Sequence, residues 1–193
     1  MGGDSSIILY LQQSLGGRIL DSHAFRGDET IVITREGLLE VFRLLKEDPK
    51  LDFNFLTDIT AVDYLGKKEP RFEVVYHFYS FQAKHRLRVK VGVPEEDPIV
   101  DSLVPLWKEA NWLEREVWDM FGIRFLGHPD LTRILLYKEF QGPNSDRDST
   151  DGIVPENRRS FFYFHVHPLF LFSISSRVIA YVGLTVVYPF LRK

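Results

Sequence analysis

Residues 114 to 130, EREVWDMFGIRFLGHPD, set Glu114, Arg115, Glu116 and Asp119 among Val117, Trp118, Met120, Phe121, Ile123 and Phe125. Charged groups interleaved with large apolar ones are costly to bury unless each finds a partner, and an exposed apolar stretch of this kind meets another protein. The chemistry on offer is ion pairing. The bland alternative is a solvated helix face, on which each exposed pair contributes only about 0 to 1 kcal/mol.

Other constellations carry less. His165 and His167 share one side of an extended segment, but a metal site needs a third ligand nearby. His77 and His85 fall on separate strand-like segments, the usual setting of satisfied rather than catalytic histidines. Asp58 and Asp63, five positions apart on one strand, point to opposite faces and cannot share a proton. Gly16-Gly17 lacks the strand-before, helix-after context of a dinucleotide site, and no GxxxxGK occurs. The absence of cysteine excludes disulfides, thiolate zinc sites, thiolate-bound iron–sulfur clusters and a cysteine nucleophile.

With 193 residues, 45% of them hydrophobic and 26% charged, the chain can bury a proper core. A net charge of -3 provides no basic field for nucleic acid. Met1 to Ser6 lack the basic start and apolar core of an export signal, so a cytoplasmic location is expected.

An α+β pattern must position the charged segment. Ile7, Ile8, Leu11 and Leu15 recur at helical spacing until Gly16-Gly17. Strands are predicted at 18–25 and 30–34, joined by a turn at Gly27-Asp28. Leu38, Val41, Phe42 and Leu45 form one stripe of a helix that Asp48-Pro49 stops. Strands follow at 53–64, 71–81 and 85–93. In the last of these, Leu87, Val89, Val91 and Val93 alternate with Arg86, Arg88 and Lys90, which implies a wet, basic face. Residues 99 to 110 are read as helical despite Pro105.

The next helix is expected to start at Trp112, with Asn111 as N-cap and Glu114 completing a capping box. Gly122 supplies the left-handed C-terminal residue after about three turns. Arg115 and Asp119, four apart, are expected to pair, and the ionic stripe to meet another surface.

Composition changes near Gly142. The body, 1–142, is mildly acidic; 143–160, PNSDRDSTDGIVPENRRS, reads as a polar linker; 161–193 is apolar with Arg177 the one charge before Arg192. A spanning helix needs about 20 apolar residues, and Arg177 would interrupt one here at a cost of about 2.5 to 3.5 kcal/mol. A lineage-specific extension, a membrane segment and a reading-frame shift after Gly142 are the three readings of this tail, the last preferred.

The run ERE, an aromatic two positions on, then Asp119, Met120, Phe121, Gly122 and Ile123, followed by HPDL and Arg133, resembles the signature of the 30 kDa subunit family of respiratory complex I, its C subunit. FLTDITAVDY, RFEVVYHFYS and HRLRVKVGV are similar to its sheet strands, so that roughly 7–142 is covered. The tail departs from the family, which continues after KEFQG with a His-Pro and a basic and acidic run.

The resemblance implies an α+β domain with a mixed or antiparallel sheet and flanking helices. It implies a cofactor-free subunit of the peripheral arm of proton-translocating NADH:quinone oxidoreductase, with FMN and Fe-S clusters in partner subunits. Docking is expected beside the large quinone-site subunit, the D subunit, on the cytoplasmic side of a bacterial plasma membrane. It assigns Glu114, Arg115, Glu116 and Asp119 to charge pairs at the junction, with Trp118 and Phe121 beside them. Gly122 would end the helix, and His128, Pro129, Asp130 and Arg133 would shape the turn that follows. The alternatives are the equivalent subunit of a membrane-bound nickel–iron hydrogenase-type complex, or a stand-alone small-molecule-binding domain.

Overall fold

The computed structural model describes residues 6–137, all within one compact unit, Met1–Phe162. The expectations for the linker 143–160 and the tail 161–193, including His165, His167 and the candidate membrane segment, lie outside the described residues. Among the described residues no helix is long and apolar enough to cross a membrane.

Among the described residues the α-helices and strands follow in the order α1 (Ser6–Leu15), β1 (Ile19–Phe25), β2 (Asp28–Ile33), α2 (Leu38–Glu47), β3 (Phe55–Asp63), β4 (Phe72–Tyr79), β5 (Arg86–Val93), β6 (Ile99–Asp101), α3 (Ala110–Phe121) and β7 (Arg124–Leu126), with a single 3-10 turn, Gly16–Arg18, between α1 and β1. The first five strands make one mixed sheet in the order β1-β2-β5-β4-β3. Only β2 and β5 run parallel; the other neighbours are antiparallel. A parallel pair cannot be joined by a tight turn, and here α2, β3 and β4 intervene between its members. β6 and β7 form a separate parallel pair.

Alternation decides which face is core. Phe72, Val74, Tyr76 and Phe78 of β4 align with Val93, Val91, Val89 and Leu87 of β5, and all are buried. Ile31 and Ile33 of β2 and Leu56, Ile59 and Ala61 of β3 complete this inner face. The α2 stripe Leu38, Val41, Phe42 and Leu45 is buried as its spacing requires. Phe42 meets Tyr76 at 4.9 Å and Phe78 at 5.3 Å between ring centroids, so α2 lies on that face. Trp107 closes the same cluster at 5.0 Å from Phe78.

Four expectations change. The turn between β1 and β2 is Arg26-Gly27, with Gly27 at φ +86°, one residue earlier than the composition suggested. The outer side of β5 is only partly wet: Arg86 is exposed, but Lys90 is half-buried and pairs with Glu73 at 2.8 Å. Glu73 is buried and also takes Lys68 at 2.8 Å. Burial alone would push its pKa up, yet the two ammonium groups outweigh that and hold it below the ordinary carboxylate value.

Residues 99 to 110 are not a helix. Ile99–Asp101 pair with β7, burying Val100 between two half-buried neighbours, and a turn occupies 104–106. Pro98 and Pro105 disfavour helix at the positions before them, and a three-residue strand is too short to show a period. α3 itself starts at Ala110, two residues before the capping-box reading, with Glu109 at the N-cap position and no side-chain cap.

Candidate functional site

α3 is where the charged segment concentrates, and its residues divide by angle around the helix. Ala110, Glu114, Val117 and Phe121 face the core, Phe121 only partly buried. Asn111, Arg115 and Asp119, spaced by four, form a second stripe along which the chain after β7 runs. At the first level, His128 Nε2 lies 3.0 Å from the Asn111 carbonyl, and the Asp130 N–H donates to His128 Nδ1 at 3.1 Å. Because Nδ1 accepts, Nε2 carries the proton and donates to Asn111. One level on, Arg115 donates from Nε to the Thr132 carbonyl at 2.9 Å and from a terminal nitrogen to the Arg133 carbonyl at 3.2 Å.

At the third level Asp119, fully buried, accepts three successive backbone N–H groups on Oδ2: Ile134 at 3.2 Å, Leu135 at 2.9 Å and Leu136 at 2.8 Å. Its other oxygen faces Arg133 Nε at 3.9 Å. The Arg115–Asp119 pair expected from the i, i+4 spacing is therefore absent. Each residue serves the segment beside the helix instead, because unpaired backbone groups there bind a full charge more strongly than one exposed ion pair would.

Glu114 likewise makes no capping box. Its carboxylate is fully buried and accepts from Ser102 Oγ at 2.7 Å and from the Leu103 N–H at 2.6 Å. It pins the end of β6 and the turn carrying Trp107. Burial drives its pKa up to about 7, which the two hydrogen bonds only partly offset. Tyr76, buried nearby, has its hydroxyl pKa raised by burial and by the charges of Glu114 and Asp101.

Gly122 has φ +71° and its N–H closes the helix onto the Trp118 carbonyl at 2.9 Å, as the sequence predicts. Gly122→Ala is expected to destabilise the chain by about 1 to 2 kcal/mol, the cost of a Cβ in the left-handed region. A urea titration of the full chain checks this.

The remaining candidates are placed as follows. Pro129 is exposed in the turn after His128, and Trp118 packs partly buried against the core. Glu116 is exposed on the outward side of α3. Partial desolvation and the charge of Asp58 on β3 both raise its pKa. Asp58 is itself half-buried, and desolvation raises its pKa too. Asp63, which the sequence set apart from Asp58, is held by Arg71 through two bonds of 2.9 and 2.7 Å. Sequence reasoning missed Ser102, and it weighed Asp58 only against Asp63; the long separation in sequence between Asp58 and Glu116 offers no local signal for their interaction.

His85 bonds the Leu51 carbonyl at 2.8 Å and stacks on Phe53, an ordinary satisfied histidine. His77 is half-buried; burial and then the Arg88 charge lower its pKa to about 4. Two shallow depressions, of about 360 and 290 Å³, border the start of α3 and the β6–β7 pair. Neither is lined by a serine, threonine or histidine. No group of three metal-ligating side chains occurs among the described residues.

The chain is similar to known proteins. Residues 31–151 fit the family model of the respiratory-chain NADH dehydrogenase 30 Kd subunit. The chain is 46% identical over 142 residues to the C subunit of NADH-quinone oxidoreductase from Geobacter sulfurreducens, covering 74% of this chain and 86% of that one. It is 48% identical over 137 residues to the corresponding C subunit from Roseiflexus castenholzii, covering 71% and 78%. A solved structure of Nqo5, a trypsin-resistant fragment, superposes with a TM-score of 0.57 at 38% identity, covering 65% of this chain and 97% of that one. A chain of the membrane-bound sulfane sulfur reductase, an archaeal respiratory membrane complex, shares the fold at 17% identity with a TM-score of 0.59, covering 80% and 97%. On the family match and on these identities, the chain belongs to the 30 kDa subunit family of the respiratory-chain NADH dehydrogenase.

Proposed function

We propose that this chain is a cofactor-free structural subunit of the peripheral arm of proton-translocating NADH:quinone oxidoreductase. It docks beside the large quinone-site subunit on the cytoplasmic side of the bacterial plasma membrane. Electrons pass from NADH through FMN and Fe-S clusters held by other subunits, and this chain supplies shape and rigidity.

The observation that carries the reading is how the charged signature is used. Glu114 and Asp119 are fully buried, out of reach of a substrate, and with Arg115 and His128 they make hydrogen bonds to this chain's own backbone and Ser102. A catalytic acid, base or nucleophile needs a lone pair or proton free for substrate. These groups instead pre-form a rigid surface, which lowers the entropy that docking would otherwise consume.

The test is affinity isolation of the tagged full chain from native membranes, with the associated chains identified. Recovery with the quinone-site subunit, and no NADH oxidation by the isolated chain, is the expected result. A chain that purifies alone and turns over NADH overturns the reading. The hydrogenase-type alternative has fold support only, from the sulfane sulfur reductase chain.

A further inference from the structure

Around α3, the core-facing stripe and the stripe that holds residues 128–136 leave a third side, formed by Trp112, Glu116 and Met120 at four-residue spacing. Trp112 is 68% exposed, the largest value among the exposed large hydrophobic side chains described. Neighbours at this spacing lie about 5 to 6 Å apart between Cβ atoms, so Glu116 sits between an indole and a thioether, with no helix cation beside it. α3 packs against β3, which brings Asp58 within electrostatic reach of Glu116.

Several carboxylates of the fold have cations: Asp63 and Glu95 share Arg71, Glu73 has Lys68 and Lys90, Asp97 has Arg35, and Asp119 faces Arg133 at 3.9 Å, while the buried Glu114 is bonded by Ser102 and the Leu103 amide instead. Asp58 and Glu116 have none among the described residues. Arg115, the cation closest in sequence to Glu116, is turned onto the carbonyls of Thr132 and Arg133. Two like charges on packed elements, Glu116 one helical turn from an exposed indole, raise the energy of the free subunit, and a cation that lies flat on the ring and reaches the carboxylates relieves it. A guanidinium meets both requirements, since it stacks on aromatic faces and bridges carboxylates, whereas an ammonium is a strongly hydrated point charge.

We propose that the Trp112–Glu116–Met120 side of α3, with Asp58 of β3, receives an arginine of a partner subunit, its guanidinium on the Trp112 indole and between the two carboxylates. The proposal rests on the subunit reading above and gives the partner's chemistry at one place on the surface. Trp112 is then the aromatic anchor and Met120 the adaptable apolar rim.

The experiment uses the full chain in native membranes. Tagged Glu116→Arg competes with untagged wild type for incorporation, and a photo-crosslinking residue replaces Trp112 in a second variant. Incorporation of Glu116→Arg is expected to fall about tenfold or more, as for loss of a central charged contact, and partial recovery is expected when the crosslinked partner arginine is changed to glutamate. The crosslinked partner peptide is expected to contain that arginine. Unchanged urea stability of Glu116→Arg would separate a docking defect from misfolding. Equal competition by Glu116→Arg, or a crosslink to a partner segment with lysine and no arginine, overturns the proposal while wild-type co-purification leaves the subunit reading intact. Failure of the wild type itself to co-purify overturns both.

Discussion

Asp119→Ala is expected to cost about 3 to 5 kcal/mol and to release the segment that follows β7. The carboxylate is fully buried and holds three consecutive backbone N–H groups, with Arg133 beside it. Removing it leaves three buried backbone donors without their acceptor and takes away the negative charge that faces Arg133, and breaking a buried charged contact from one side costs that much because those donors stay unpaired. Asp119→Asn keeps the shape but brings one acceptor oxygen and no charge, so a smaller loss is expected. Urea unfolding of the full chain gives the energy. Limited proteolysis gives the location: new cleavage should appear between Leu131 and Tyr137, while the sheet stays resistant. Loss below about 1 kcal/mol, or cleavage spread over the sheet, would remove the latch role.

Stability should also vary with pH in two opposed ways, from two groups on different elements. Glu114 has its pKa raised from 4.5 to about 7. Between those values the folded chain keeps a proton that the unfolded chain has released, so this group makes stability fall as pH rises from about 4.5 to about 7, after which its contribution is constant. His77 has its pKa lowered from 6.5 to about 4. Between those values the unfolded chain binds the proton and the folded chain does not, so this group makes stability fall as pH drops through the window. Each contribution is on the order of 3 kcal/mol at full extent, at 1.36 kcal/mol per pH unit.

Substitution separates them. Glu114→Gln preserves an acceptor for the Leu103 N–H and offers a donor to Ser102 Oγ, so the fold should survive with its neutral-pH loss removed. Glu114→Ala strands both donors in a buried place and should destabilise by about 2 to 5 kcal/mol. His77→Gln should flatten the acid side alone. Thermal unfolding of the three variants from pH 4 to pH 8 checks this, and a Glu114→Gln profile parallel to wild type would discard the buried-acid account.

The sheet and α2 were legible because burial imposes their periods. Leu38, Val41, Phe42 and Leu45, and Leu87, Val89, Val91 and Val93, repeat at 3.6 and 2 residues because one side of each element meets the same core. Family, fold class and the Gly122 helix end followed from the segment 114–133 for a similar reason: its spacing fixes local backbone geometry. The pairings inside that segment were not legible. Asn111 and Glu114 have the spacing of a capping box, but Glu114 faces inward, where Ser102 and Leu103 present two donors that water cannot reach. Arg115 and Asp119 have the spacing of an ion pair, but their partners are carbonyls and amides of residues 132–136. Main-chain donors carry no letter in a sequence, and an acceptor fifteen to seventeen residues away gives no period to detect. The short strand at Ile99–Asp101 was lost between two prolines for the opposite reason, since three residues hold too little pattern.

The stretch from His128 to Leu136 is gripped almost wholly through its peptide groups, at three heights along one helix. Grip of that kind is indifferent to which side chain hangs from Leu135 or Tyr137, both of which point outward. It is intolerant of spacing, because dropping one residue shifts an extended chain by about 3.3 to 3.6 Å and carries the amides past the carboxylate that collects them. Away from His128, Leu131 and Arg133, whose side chains are used, variation in this part of the molecule is thus free in letter, and all of it is fixed in length.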